Sequence, residues 1–389
     1  MKTMIFYELK KIFGTRKSVM CGLLVLLLCG GVFAMDCFDK QTLAHLDDIR
    51  KSTAVYTGEI TPERMAPLIQ RYSEITGNQD NWIETENESV LNAASAEEIA
   101  TWEYALSRNA VNAYRNERIA YLQTEALGLR EADLNRLLME KEQAMLSKNP
   151  NISIGYNLFF DYFVRFIGNV APIMLGFLII LFLAPLFSME YSTRMDGLIL
   201  SSKRGKRSFI VSKLLAALLT ISVIHVAVIG FYTLLCGVFW GLDGAATSLT
   251  ATFYNPFPYI FSPFGFSMGQ YFFYAIGVSY AACIGLGSLT LFLSSKTRNA
   301  VLCMSIVMVI FFVPLLIYAL GGYGDIVGGI NFSYGRIMQV YPLVGSFRGH
   351  VLFGEVILEK SLVLAALGIT TVAFLWGAFQ TFKKHQVVN

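Results

Sequence analysis

Six long apolar segments constrain the fold of this 389-residue chain more than any other feature of its sequence. A helix needs about 20 predominantly apolar residues to cross the hydrocarbon core of a bilayer. Only 15% of the residues are charged, against about 25% in an average soluble domain. The sequence therefore predicts an all-α, polytopic membrane protein with six transmembrane helices. The apolar segments cover residues 18–35, 167–187, 214–240, 270–293, 300–320 and 361–379.

The distribution of Lys and Arg predicts the orientation of these helices. Fifteen such residues lie before the first segment, in the loops between segments two and three and between four and five, and after segment six. The loop over 241–269 has no Lys or Arg, and the loop over 321–360 has three. Short cytoplasmic loops are enriched in Lys and Arg. We therefore expect a multi-pass protein of the cytoplasmic (cell) membrane with both termini in the cytoplasm.

A long polar insertion over residues 39–165 follows the first transmembrane helix, which we assign to 18–38. The insertion holds 13 Lys and Arg against 20 Asp and Glu, a net charge of −7. Pro62 suits the first turn of a helix, Ser95 begins a capping-box pattern, and Gly128 suits a helix end. A further helix is predicted over 130–147, where its apolar stripe suits coiled-coil-like packing. We expect a helical extracytoplasmic domain, with the other five transmembrane helices in 166–389.

Residues 1–17 predict an amphipathic helix before the first transmembrane segment. Ile5, Leu9 and Ile12 share one face, whereas Lys10 and Lys11 lie on the other side. A helix of this kind lies along the membrane interface with its apolar face in the lipid. We expect it on the cytoplasmic leaflet.

The sequence lacks the common catalytic motifs. It contains no GxxxxGK[ST] phosphate loop, no HExxH and no GxSxG, so it predicts neither its own ATPase site nor a hydrolase site. The six apolar segments contain no Asp, Glu, Lys or Arg, which disfavours an ion-coupled carrier. We expect no catalytic, metal-binding or cofactor-binding residue and no nucleic-acid partner. A membrane enzyme or structural protein that works without an ATPase remains an alternative.

The predicted cytoplasmic loop over 188–213 carries an ordered motif. Glu190 is followed after six residues by Gly197, after three more by Ser201, and then by a basic turn and Lys213. This loop resembles the first cytoplasmic loop of ABC transporter permeases of the second exporter type. The N-terminal helix, the six spans and a re-entrant loop over 321–360 extend the resemblance to the whole membrane part. The large insertion departs from the family pattern.

The resemblance implies a permease subunit of an exporter that moves an amphiphilic substrate such as a peptide, a lipid or a drug. A separate ABC ATPase would bind ATP and Mg²⁺, and a second permease copy or paralogue would complete a dimer in the membrane lipid. The loop would form a coupling helix on the ATPase, and the N-terminal helix would be a connecting helix. The implied coupling residues are Glu190, Arg194, Gly197, Lys203, Arg204, Lys206 and Arg207, and the implied connecting-helix residues are Ile5, Leu9, Lys10, Lys11 and Ile12.

A second interpretation gives the insertion the main role. The chain would then be an immunity or sensor permease whose extracytoplasmic domain binds an antimicrobial peptide. The net charge of −7 would favour a cationic peptide through long-range attraction.

Overall fold

The chain is predominantly helical and has two short antiparallel strand pairs within the residues described here. The computed structural model describes residues 2–14, 16–37, 50–51, 53, 57–76, 96–130, 133–148, 151–193, 205–252, 259–321 and 325–384. The helices are α1 (Lys2–Phe13), α2 (Arg16–Cys37), α3 (Pro62–Thr76), α4 (Ala96–Gly128), α5 (Leu134–Leu146), α6 (Leu158–Leu183), α7 (Pro185–Ser192), α8 (Gly205–His225), α9 (Phe231–Trp240), α10 (Met268–Lys296), α11 (Ala300–Gly321), α12 (Tyr334–Gln339), α13 (Tyr341–Val344) and α14 (Glu359–Lys384). The strands are β1 (Gly58–Glu59), β2 (Ser153–Ile154), β3 (Gly349–Leu352) and β4 (Glu355–Leu358).

Five helical stretches are long and apolar enough to cross a membrane, which supports a multi-pass membrane protein. The first predicted segment forms α2, whose apolar part, Val19–Met35, is shorter than the other five. The count of six spans therefore stays a prediction. The five longer stretches are Leu158–Ser192, Arg207–Trp240, Met268–Lys296, Ala300–Leu320 and Glu359–Lys383.

The second predicted span is longer than its apolar segment. Its helix begins at Leu158 rather than at residue 167, so Asp161 and Arg165 belong to the helix. Asp161 is buried, and Asn157 donates a hydrogen bond from Nδ2 to Asp161 Oδ1 over 3.3 Å. Hydropathy placed the start too late because these polar residues interrupt the apolar run. At the other end, Pro185 separates α6 from α7.

The helices of the insertion largely follow the sequence pattern. α3 begins at Pro62 and α4 ends at Gly128, as predicted. α5 begins at Leu134 rather than at residue 130, because Asp133 caps it by accepting a hydrogen bond from the Asn135 N–H at 2.9 Å. A side-chain cap of this type fixes where the helix begins.

Two short strands near the two ends of the insertion pair with each other. β1 pairs with β2 through Gly58 opposite Ile154 and Glu59 opposite Ser153. Each strand has two residues, so neither produced an alternation that could be recognised in the sequence. The strands border a buried apolar cluster that includes a residue of the loop after α9: Ile60, Met65, Leu68, Tyr72, Ala105, Leu106, Val111, Ile152, Ile154 and Ala251. The insertion therefore shares a core with that loop.

The loop over 321–360 contains short helices, as predicted, and also a hairpin that was not predicted. A 3₁₀ helix, Asp325–Phe332, precedes α12, and α12 packs against α6 and α10. β3 and β4 form the hairpin, whose turn holds Phe353 (φ 55°) and Gly354 (φ 85°). Two consecutive positive φ angles are typical of the tight turns that join antiparallel strands. Re-entry of this loop into the membrane stays a prediction.

Candidate functional site: a buried charge cluster

The N-terminal helix α1 packs against α8 at one end of the bundle. Ile12 is buried and Ile5 and Leu9 are half-buried, whereas Lys10 is exposed. The apolar face predicted from the sequence is therefore the face that α1 turns toward the protein. Glu8 is buried on the same helix, which an amphipathic interfacial helix does not by itself explain.

Lys213, in the third turn of α8, explains the burial of Glu8. Its side chain is fully buried, and its Nζ donates to Glu8 Oε2 at 2.9 Å, to Glu190 Oε1 at 3.0 Å and to the Leu186 carbonyl oxygen at 2.8 Å. An ammonium group has three N–H donors, so each one has an acceptor. A buried lysine is tolerated only when it is paired and hydrogen-bonded in this way.

Glu190 is the second centre of the cluster. Its Oε1 accepts from Lys213 and also from Lys11 Nζ at 2.5 Å. The Glu190 side chain is 3% exposed and that of Lys11 is 49% exposed. Glu8, Lys11, Glu190 and Lys213, hereafter the charge cluster, carry two negative and two positive charges. They connect α1 to the end of α7 and the start of α8.

Aromatic rings enclose the charge cluster. Lys213 Nζ lies 4.8 Å from the ring centre of Phe209 and 5.8 Å from that of Phe187. Phe382 of α14 packs on both rings, at centroid distances of 5.1 Å from Phe187 and 6.1 Å from Phe209. Rings around an ammonium group attract it and exclude water, which strengthens the ion pairs inside.

A break between α6 and α7 places Glu190. Pro185 has no N–H, so the helical hydrogen-bond ladder is interrupted there. Ser294 of α10 repairs the break: its Oγ donates to the Ala184 carbonyl at 2.7 Å and accepts from the N–H groups of Phe187 at 3.1 Å and Ser188 at 3.2 Å. The Ser294 side chain therefore holds α7 in the orientation that brings Glu190 to Lys213.

The middle of the predicted coupling loop, residues 194–204, falls outside the described residues. Arg194, Gly197, Lys203 and Arg204 lie there, and so does the side chain of Lys206, whose backbone belongs to α8. Arg207 is described and is exposed. The two flanks of the loop are joined directly, because Glu190 on one flank pairs with Lys213 on the other.

Sequence reasoning identified Glu190 and Lys11 and missed their partners. Glu8 is the single acidic residue among the first 17, within a basic stretch. Lys213 lies beside an apolar segment and was counted as a topology signal and as the last residue of the loop motif, not as the partner of a carboxylate. An acidic residue in a basic stretch and a lysine directly before an apolar segment are both irregular, and these irregularities were the signals available in the sequence.

His225 lies apart from the charge cluster, further along α8. It is buried at the start of a π-helical turn, Val226–Gly230, and its ring packs edge-on to Tyr280 at 5.3 Å. Its Nε2 has no hydrogen-bond partner among the described residues. The described part of the chain also contains no group of three or more His, Cys, Asp or Glu residues that could hold a metal ion.

At the opposite end of the bundle, Arg115 of the insertion is a buried cation. Arg115 donates from Nη1 to the Ser262 carbonyl oxygen at 2.8 Å, and burial lowers the pKa of its guanidinium. The ring of Tyr114 packs edge-on to Phe261 at 5.5 Å. These contacts seat α4 on the loop before α10.

The arrangement at the charge cluster is suited to mechanical connection between helices, since its polar atoms are used to pair with one another.

No protein-family model, no curated protein and no solved structure matches this chain.

Proposed function

We propose that this chain is the membrane-spanning permease subunit of an ATP-driven exporter that moves an amphiphilic substrate. A separate ABC ATPase would bind ATP and Mg²⁺ and act on the loop between α7 and α8. The proposal rests on the sequence resemblance of that loop, on five helices able to cross a membrane, and on the charge cluster.

One observation carries the proposal: Lys213 is buried between Glu8 and Glu190. The resemblance assigns the N-terminal helix and the α7–α8 loop to contact with the ATPase. Lys213 lies on the second flank of that loop and pairs with Glu8 of that helix and with Glu190 on the first flank. In this proposal, a push on the loop therefore moves α1, α7 and α8 together. Rigid-body motion of packed helices is a common way of switching between two states.

The exposed apolar faces of α11 and α14 support a second permease copy as partner. Val309 and Leu316 on α11 and Val372 and Trp376 on α14 are all exposed in the single chain. These faces suit contact with lipid or with another apolar helix face. In the proposed exporter, two such subunits line the substrate pathway between them.

Affinity purification of the tagged, full-length protein from its native membrane tests the proposal. We expect a P-loop ATPase to co-purify with the wild type. Arg207→Glu should reduce the ATPase yield several-fold, because Arg207 is exposed at the flank of the loop. Arg298→Glu is the matched control, since Arg298 is also exposed but lies in the loop between α10 and α11.

Two results would contradict the proposal. One is the absence of any ATPase from the wild-type preparation under conditions that preserve other membrane complexes. The other is an ATPase yield that falls equally in both variants, because the contact would then not involve the α7–α8 loop.

A further inference from the structure

A buried arginine beside the last turn of α11 forms a second candidate site. Arg336 of α12 is only 2% exposed, and its Cζ lies 3.3 Å from the ring centre of Tyr318. Tyr318 belongs to the last turn of α11, a helix long and apolar enough to cross a membrane. α11 begins directly after the end of α10 that contacts α7 through Tyr191. The Arg336 site therefore lies at the end of α11 away from the charge cluster.

The guanidinium of Arg336 is incompletely paired. A guanidinium group has five N–H donors. Nη1 donates to Oε1 of Gln339, whereas Nε has no hydrogen-bond partner among the described residues. Buried polar atoms in native proteins almost always have a partner, and a buried charge is tolerated only when it is paired and hydrogen-bonded. Arg336 therefore has a donor left for a ligand.

A second arginine adds to the positive charge at this site. Burial lowers the pKa of the Arg336 guanidinium, and repulsion by the nearby charge of Arg348 lowers it further. Arg348 is half-buried and directly precedes β3. The N–H of Glu359 donates to the Arg348 carbonyl oxygen, but the Glu359 carboxylate accepts from Asn331 Nδ2 at 2.8 Å and lies 3.6 Å from His350 Nε2. Two cations that repel each other in a buried place favour a bound anion.

The backbone beside Arg336 is strained. Val340 has a φ of 63°, in the left-handed region that β-branched residues rarely adopt. It is fully buried and separates α12 from α13. Strain of this kind persists only where the surrounding structure holds it, and it occurs most often at functional sites. The break fixes Gln339, the acceptor from Arg336, as the last residue of α12.

The depth of the site in the membrane indicates which anion it meets. α11 has 22 residues. At 1.5 Å per residue it is about 33 Å long, close to the hydrocarbon thickness of about 30 Å. Its last turn therefore lies near one boundary of the hydrocarbon, beside the headgroups. Ile317 and Leu320 of that turn are exposed and suit contact with lipid chains, so a lipid on α11 can bring its phosphate to Arg336.

We propose that Arg336 and Arg348 bind the phosphate group of an anionic membrane lipid. The planar guanidinium group matches the oxygens of a phosphate, to which it donates charge-assisted hydrogen bonds. A lipid with a net negative charge is favoured over a zwitterionic one, because the pair of arginines repels a cationic headgroup. The lipid is favoured over soluble phosphate, because its chains pack on the apolar face of α11. The inference holds whether or not an ATPase drives the bundle.

Native mass spectrometry of the full-length protein tests this site. The protein is stripped of lipid in a neutral detergent and titrated with dioctanoyl-phosphatidylglycerol, dioctanoyl-phosphatidylcholine or glycerol phosphate. We expect phosphatidylglycerol to bind several-fold more tightly than phosphatidylcholine. It should bind at least about 10-fold more tightly than glycerol phosphate, which has the same phosphate group but no chains to bury.

Three variants locate the binding. Arg348→Gln should weaken phosphatidylglycerol binding about 10-fold, as expected for one lost charge-assisted hydrogen bond. Arg298→Gln removes an exposed arginine at the other end of α11 and should leave binding unchanged. Arg336→Lys keeps the buried charge but loses the planar group, and it should weaken binding several-fold.

Asp325→Asn tests whether the chain supplies its own anion, since the side chain of Asp325 lies outside the described residues. We expect this variant to bind phosphatidylglycerol as the wild type does. A several-fold gain in affinity would mean that Asp325 occupies the site, and it would overturn the proposal. Equal binding of the two lipids, equally tight binding of glycerol phosphate, or equal effects of Arg348→Gln and Arg298→Gln would overturn it as well.

Discussion

The two ends of the helical bundle are held by different forces. At one end, the charge cluster joins α1, α7 and α8 through side chains that carry full charges. At the other, the Ser248 N–H of the loop after α9 donates to the Ser153 carbonyl oxygen of the insertion at 2.9 Å, beside the paired strands β1 and β2.

The two ends therefore respond differently to amino-acid substitution. A buried ion pair depends on every partner, because removing one leaves an uncompensated charge. Backbone hydrogen bonds do not depend on side-chain identity, so single substitutions leave them in place. The charge-cluster end is therefore the end that one substitution, or one docking event that shifts a charge, can alter most.

The largest effect is expected for Lys213→Met. The variant leaves the carboxylates of Glu8 and Glu190 buried without their shared cation, and the loss of stability should be about 3–5 kcal/mol. Denaturation by sodium dodecyl sulfate in mixed micelles measures it. Adding Glu8→Gln and Glu190→Gln to Lys213→Met should recover most of the loss, since no buried charge then remains unpaired. A loss below about 1 kcal/mol for Lys213→Met alone would contradict the buried geometry.

The opposite end should respond less to loss of its own buried cation. Arg115→Met removes the hydrogen bond to the Ser262 carbonyl and leaves that acceptor without it, at an expected cost of about 1–3 kcal/mol. The same denaturation assay compares it with Lys213→Met, and a larger loss for Arg115→Met would reverse the comparison between the two ends.

Ser294→Ala tests whether the α6–α7 break supports the charge cluster. The buried N–H groups of Phe187 and Ser188 lose their acceptor, at an expected cost of about 1–2 kcal/mol. Ser295→Ala is the matched control, because Ser295 Oγ bonds only within its own helix, to the Phe292 carbonyl. Equal effects of the two variants on unfolding would show that Ser294 has no special part in the break.

Lys11→Ala should cost less than about 1 kcal/mol, because half of the Lys11 side chain is exposed and solvent screens such pairs. The small effect should shrink further at high salt, whereas the effect of Lys213→Met should change little. Unfolding measured at two salt concentrations separates the two lysines. An equal salt response would indicate that Lys213 is reached by solvent.

The smallest effect is expected at β1. Glu59 is exposed, and its pairing with Ser153 uses backbone atoms. Glu59→Ala should change stability by less than about 0.5 kcal/mol. A loss comparable to that of Arg115→Met would mean that a side chain, and not the backbone, holds the two strands together.

The helices could be predicted from the sequence because their signals are local. The lengths of the apolar segments predicted most of the long apolar helices. Pro62 predicted the start of one helix and Gly128 the end of another, and the structure confirms both. The start of α6 was missed because Asp161 and Arg165 interrupt the apolar run while remaining in the helix.

The charge cluster could be predicted only in part, because it depends on tertiary contacts. Lys213 and Glu8 are separated by 205 residues, and no sequence period relates them. The short β1 and β2 strands likewise acquire their structure from each other.

Site-specific photocrosslinking tests the central claim most directly. A p-benzoylphenylalanine residue would replace Arg207, in the first turn of α8 beside the α7–α8 loop, in the full-length protein in its native membrane, with replacement of Arg298 and of Ala120 as comparisons. The proposed function predicts an ultraviolet-dependent adduct from position 207 to a chain with a P-loop ATPase sequence, and none from position 120. The absence of that adduct at position 207, with the protein present and folded in the membrane, would contradict the assignment as an ATP-driven permease.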